Sequence, residues 1–149
     1  MRRLGALFGL ALLGVSGCNT YKYFDINVSF DQATFDDSDI LSIARCRMLV
    51  TGADDANFIL MMNCPNRDAS DPHTVGVFEY STFADSGTMN FELQAFVGQL
   101  DTPECMIGNG KLPLAVSGAT TIMGNLLVAK NPAFGSNCLN VSPVGDGSQ

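Results

Sequence analysis

Four aspartates fall within nine residues, Asp31, Asp36, Asp37 and Asp39 in "DQATFDDSD". A calcium ion takes roughly six to eight oxygen ligands, and carboxylates gathered in loops can supply them. Asp54 with Asp55, and Asp68 with Asp71, repeat the pattern on a smaller scale. The spacing of an EF-hand is absent, since neither its glycine nor its closing glutamate is in place. Aspartate is also an ordinary turn former, because its side chain accepts hydrogen bonds from nearby backbone. The stretch is therefore expected to be a solvated turn between strands, with calcium binding by Asp31, Asp36, Asp37 and Asp39 as the alternative.

His73 is the only histidine. Histidine is the side chain that changes charge near neutral pH without help, which makes it the usual proton carrier of a hydrolase. Ser70, Asp68 and Asp71 stand close to it in "PNRDASDPHT", but no GxSxG elbow accompanies them. An exposed loop histidine is the expectation, and a hydrolase built around His73 the remote alternative. "GNGK" (108–111) lacks the spacing and the following helix of a phosphate-binding loop. Asn27-Val28-Ser29 and Asn140-Val141-Ser142 match the glycosylation pattern without further support. No cofactor motif is found.

The elements that would position these residues read as strands. "FDINVSF" (24–30) alternates Phe24, Ile26, Val28 and Phe30 with polar partners, the period of a half-buried strand. "MNFELQAFV" (89–97) alternates in the same way, and "VGVFEYSTF" (75–83) is aromatic and β-branched. "ARCRMLV" (44–50) and "FILMMNC" (58–64) flank the turn-rich "TGADDAN". Asn109-Gly110 in "MIGNGKLPL" (106–114) is a strong signal for a tight hairpin, and Gly124-Asn125 in "TTIMGNLLVA" (120–129) is a second. "NCLNVS" (137–142) is expected to close the sheet. Seven or eight short strands, with no helical period, predict an all-β fold and a single antiparallel β-sandwich of immunoglobulin-like architecture. The chain has no Trp, so the Cys…Trp…Cys signature of true immunoglobulin domains is missing.

The amino end is of a different kind. Arg2 and Arg3 precede an uncharged apolar run from Leu4 to Val15. That run is shorter than the roughly 20 residues needed to span a bilayer, and it fits the apolar region of a secretory signal. It ends in Val15-Ser16-Gly17-Cys18, which resembles the lipobox of bacterial lipoprotein precursors. The resemblance covers the first 18 residues. It implies cleavage before Cys18 and acyl chains on the new terminal cysteine. In enterobacterial lipoproteins an Asp after the cysteine retains the protein at the inner membrane. Asn19 stands there instead, which by the same analogy implies the outer membrane. The segment from "YKYFDINVSFDQATF" through "STFADSGT" also resembles uncharacterised small lipoproteins of myxobacterial-type genomes, a resemblance that implies the anchor and no activity.

With Cys18 assigned to lipid, Cys46, Cys64, Cys105 and Cys138 remain, and outside the cytoplasm four cysteines are expected to pair. A hairpin centred near Asp55 would set Val50 opposite Leu60, Met48 opposite Met62 and Cys46 opposite Cys64. Cα atoms directly opposed across antiparallel strands lie about 4.5–5.5 Å apart, within disulfide range. Cys105–Cys138 follows by elimination. A zinc site is disfavoured, since the chain has no CxxC and a single histidine.

The sequence thus divides into a signal segment (1–17), a lipidated tether (18–23), one β domain (24–142) and a loose tail (143–149). Beyond residue 17 there are 15 acidic against 6 basic residues, a net charge of −9. Such a surface does not seek nucleic acid or anionic lipid. The expectation is a lipid-anchored cell-envelope protein whose domain binds or supports a protein partner without catalysis. A calcium-dependent adhesion or carbohydrate-binding module is the alternative.

Overall fold

Alternation in the sequence becomes strand. In β1 (Lys22–Phe30) the side chains of Phe24, Ile26, Val28 and Phe30 are buried, and those between them face outward or are half-covered. The computed structural model describes residues 20–62, 64–65, 70–98, 102–135 and 138. After β1 come a short helix α1 (Asp37–Ser42), β2 (Ile43–Gly52), β3 (Asn57–Met62), β4 (Thr74–Thr82), β5 (Thr88–Val97), β6 (Met106–Ala115) and β7 (Thr121–Lys130). Single 3-10 turns stand at Ala53–Asp55 and Pro103–Cys105. Among the described residues no helix is long and apolar enough to cross a membrane.

The fold is all-β, with the seven strands in one curled sheet ordered β3-β2-β5-β6-β7-β1-β4. The sheet is mixed rather than wholly antiparallel as expected, because β1 runs parallel to β7, with Ile26 opposite Gly124. A connection of about a dozen residues or more suffices for parallel neighbours, and here the whole of β2 to β6 lies between them. The curl brings distant strands face to face. The ring of Phe91 on β5 lies 5.4 Å from Phe24 on β1, and 6.2 and 6.0 Å from Phe78 and Tyr80 on β4. Phe58 and Tyr80 touch at 5.4 Å, so the two edge strands, β3 and β4, approach without pairing.

Two expected hairpins are instead continuous strands. Gly110 lies inside β6 and Gly124 inside β7. A Cβ at Gly110 would collide with the carbonyl oxygen of Leu127, and one at Gly124 would come within 2.8 Å of Leu112 Cδ2. Glycine inside a strand marks such close approach. Here it lets β6 and β7 lie against each other although they pair only at Gly108–Lys130 and Asn109–Ala129.

The β2–β3 hairpin forms, but two residues out of the expected register: Val50 faces Phe58, Met48 faces Leu60 and Cys46 faces Met62. The turn is tighter because Gly52, at φ 127°, and Asp55, at φ 57°, take left-handed backbone at its two sides. Cys64 falls just past the last pair and still reaches Cys46, with Cα atoms 5.5 Å apart. Cys105 and Cys138 form the second disulfide, with Cα atoms 4.9 Å apart. The bonds close loops of 18 and 33 residues, which by loop entropy contribute about 3 and about 4 kcal/mol. Of the expected strand 137–142 only Cys138 is described. The expected signal segment 1–17 and tail 143–149 lie outside the described residues, as do Cys18 and Asn19 of the expected tether. β1 begins at Lys22, two residues before the expected domain start.

Candidate functional site

The aspartate-rich stretch becomes the turn and helix that close one end of the sheet. Asp31 Oδ1 accepts from the backbone N–H of Ala33 at 3.0 Å. Asp36 is the N-cap of α1, accepting from Asp39 N at 2.8 Å and from the Ser38 hydroxyl at 2.6 Å. Asp39 Oδ2 reaches back to Asp36 N at 3.2 Å, completing a capping box. Both oxygens of Asp39 also accept from Lys130 Nζ, at 2.7 and 2.6 Å, which ties the helix to the end of β7. Asp36 and Asp37 are both exposed, and Asp37 Oδ1 lies 3.9 Å from His73 Nδ1. The four carboxylates thus serve the local turn, the helix cap, Lys130 and His73. Among the described residues no group of three or more His, Cys, Asp or Glu side chains is arranged to hold a metal ion. Asp68 lies outside the described residues.

His73 stands beside this turn in a shallow cleft between residues 32–38 and 70–73. It is half-buried rather than exposed as expected. Its Nδ1 lies 3.3 Å from Asp71 Oδ1 and its Nε2 3.2 Å from the carbonyl oxygen of Phe35. A serine relay needs Nε2 turned to a hydroxyl; here it faces a backbone acceptor, and Ser70 only lines the cleft. His73 therefore links the start of β4 to the Phe35 turn. Its backbone binds the end of β1, since Phe30 N donates to His73 O at 2.8 Å.

Two carboxylates here are acidified by donors. The Ser38 hydroxyl, helped by the Asp39 backbone, holds Asp36 below its ordinary value. The His73 backbone N–H does the same for Asp71, helped by the His73 ring and Thr74. A carboxylate whose value is depressed on folding stabilises the fold above its unfolded value, and that contribution fades as the pH falls through the folded one. The melting temperature is expected to drop from about pH 5 downward, and the pair Asp36→Asn and Asp71→Asn to flatten that drop. Thermal melts across this range check it; an unchanged slope would contradict the assignment.

On the outer face a polar ladder crosses three strands. Arg47 Nε donates to Gln94 Oε1 at 2.7 Å, Gln94 Nε2 to Glu92 Oε1 at 2.7 Å, and Lys111 Nζ pairs with Glu92 at 3.0 Å. The Arg47 guanidinium also lies 4.8 Å from the centre of the Phe96 ring.

Two apolar features were not singled out as sites in the sequence. Strand β3 lies at an edge of the sheet, carries no charge, and exposes Ile59, Leu60 and Met61 by 57, 41 and 62%. The signal lay in the unbroken run "FILMM", which lacks the alternation of β1 and so cannot hide every side chain. The second feature lies in Tyr21-Lys22-Tyr23-Phe24, where the sequence leaves open whether the three aromatic side chains pack on the domain or lie in the headgroup layer. The structure separates them: Phe24 is fully buried, and Tyr21 and Tyr23 are exposed. The Tyr21 ring stacks at 3.7 Å on Phe83, which follows β4. Comparison with protein-family models, curated proteins and solved structures finds no match for the chain.

Proposed function

We propose that this chain is a lipid-anchored protein of the bacterial cell envelope whose β domain is a non-catalytic module that binds another envelope protein. The anchor is supported by the lipobox-like Val15-Ser16-Gly17-Cys18 behind a basic and apolar leader. Asn19 in place of Asp favours the outer membrane. The even set of Cys46, Cys64, Cys105 and Cys138, all in disulfides, fits an oxidising compartment. The curled sheet is read as an open sandwich, β7-β1-β4 over β3-β2-β5-β6, on the strength of the Phe24–Phe91 contact across it.

One observation carries the binding role: β3 is an edge strand, and among the described residues no strand pairs with its outer side. Proteins blunt such edges with charge, proline or bulges, because a bare edge recruits another strand. β3 has none of these in "NFILMM" and exposes apolar side chains along the edge. A partner strand added there would gain main-chain hydrogen bonds together with side-chain contacts. A photo-crosslinking residue at position 61 is expected to trap one discrete protein in intact cells, whereas the same residue at position 123, exposed on β7, is not. Leu60→Lys should abolish the crosslink without unfolding the domain. Equal labelling from both positions would contradict the proposal.

A further inference from the structure

We infer that Tyr21, Tyr23 and Phe83 form a patch that seats this end of the domain in the headgroup layer of the membrane. The inference rests on the lipid anchor at Cys18 and deepens it, since it adds an orientation to a tether.

The geometry starts from chain length. Tyr21 is three residue steps from Cys18, and extended chain spans at most about 3.3–3.6 Å per residue. Tyr21 therefore lies within roughly 11 Å of the acylated cysteine. The headgroup region adds about 5–8 Å to each side of the hydrocarbon core, so this end of the domain stands against it. The side chains found there suit that layer. Tyr21, Tyr23 and Phe83 are exposed by 44, 47 and 47%, and Tyr21 touches Phe83 at 3.7 Å and Tyr23 at 6.2 Å. Rings with an apolar body and a polar tip concentrate at membrane–water interfaces.

Both ends of the sheet are acidic, this one less than the other. The starts of β1, β3, β5 and β7 and the ends of β2, β4 and β6 share this end of the sheet. Its connections carry Asp54, Asp55 and Asp85, and residues 116–120 carry no charge. Lys22 is the cation beside the patch, its Nζ 3.3 Å from the carbonyl of Gly118. Residues 31–42, at the opposite end, alone hold four aspartates. An acidic protein would turn that end away from anionic lipid.

The chain has no tryptophan, so a single introduced one reports its own surroundings. Full-length protein with Tyr21→Trp, with Phe83→Trp, or with Leu41→Trp on the exposed face of α1 at the other end would be purified from membranes. Each would be reconstituted into phosphatidylcholine vesicles with brominated or plain acyl chains, after intact mass spectrometry of the same preparation. Trp at positions 21 and 83 is expected to emit to the blue and lose most of its intensity in brominated vesicles. Trp at position 41 is expected to keep both its wavelength and its intensity. If Cys18 carries acyl chains yet positions 21 and 83 behave like position 41, the patch is overturned and the anchor stands. A preparation without acyl chains on Cys18 overturns the anchor and the patch together.

Discussion

A chain in which residues 1–17 are replaced by an ordinary cleavable secretory signal, and which carries Cys18→Ser, is expected to leave the membrane entirely. Each buried CH₂ of an acyl chain contributes about 0.8 kcal/mol, and stable anchoring takes more than one chain. A cysteine bearing two or more chains therefore holds the protein without measurable release, and a serine there holds nothing. The aromatic patch cannot substitute: two or three half-exposed rings bury far less apolar surface than two acyl chains. The folded domain should be untouched, since Cys18 takes no part in either disulfide. The expected result is thus a full shift from membrane to soluble fraction with an unchanged melting temperature. Retention on the membrane after this exchange would mean that some other part of the chain holds it there.

The second large effect lies at Phe91. Its side chain is fully buried, and its ring meets Phe24, Phe78 and Tyr80 from the opposite side of the curl. It is also the point where Val50 on β2 and Leu112 on β6 flank β5. Truncating a buried Phe to Ala costs about 3–5 kcal/mol, part lost transfer and part cavity. For a domain of this size that corresponds to a fall in melting temperature of order 10–20 °C. Phe91→Leu should cost less, because it keeps most of the volume. Leu127→Ala, on the exposed outer face of β7, should change stability by no more than about 0.5 kcal/mol. Thermal melts of the three variants decide the matter; a Phe91→Ala protein melting like Leu127→Ala would show that the curl is not held by these rings.

Strands that bury one face were legible in the sequence. β1 and β5 start and end within two residues of the stretches read from alternation, because a two-residue period survives wherever one face meets the core, and β4 does so for the stretch read from its aromatic and β-branched residues. The Cys46–Cys64 pair was readable as well, although its hairpin register was not: the left-handed residues Gly52 and Asp55 shorten the turn, and nothing in "TGADDAN" announces which residues take that backbone. Asn109-Gly110 and Gly124-Asn125 misled for a physical reason. A glycine that permits a turn and a glycine that permits close packing are the same residue, and only the neighbouring strand decides between them. The parallel pairing of β1 with β7 joins segments nearly 100 residues apart, a distance over which local pattern carries no information. Helix α1 was hidden by its length of six residues, too short for a period, though its capping box lay in the aspartates read as turn formers.

The site was less legible than the fold. Carboxylate density in residues 31–39 drew attention, yet Asp31, Asp36 and Asp39 work as turn, cap and ion pair. The surfaces that carry the proposals, the β3 edge and the Tyr21–Phe83 patch, depend on which side chains remain uncovered. That is a property of the completed curl.

The account stands on Cys18, and intact mass spectrometry of the membrane-extracted protein, with and without reduction, tests it most directly. The predicted result is a chain beginning at Cys18, carrying more than one acyl chain, and lighter than its reduced form by the four hydrogens of two disulfides. A chain that begins elsewhere and carries no lipid would contradict the account, leaving Cys18 as the one cysteine outside the two disulfides.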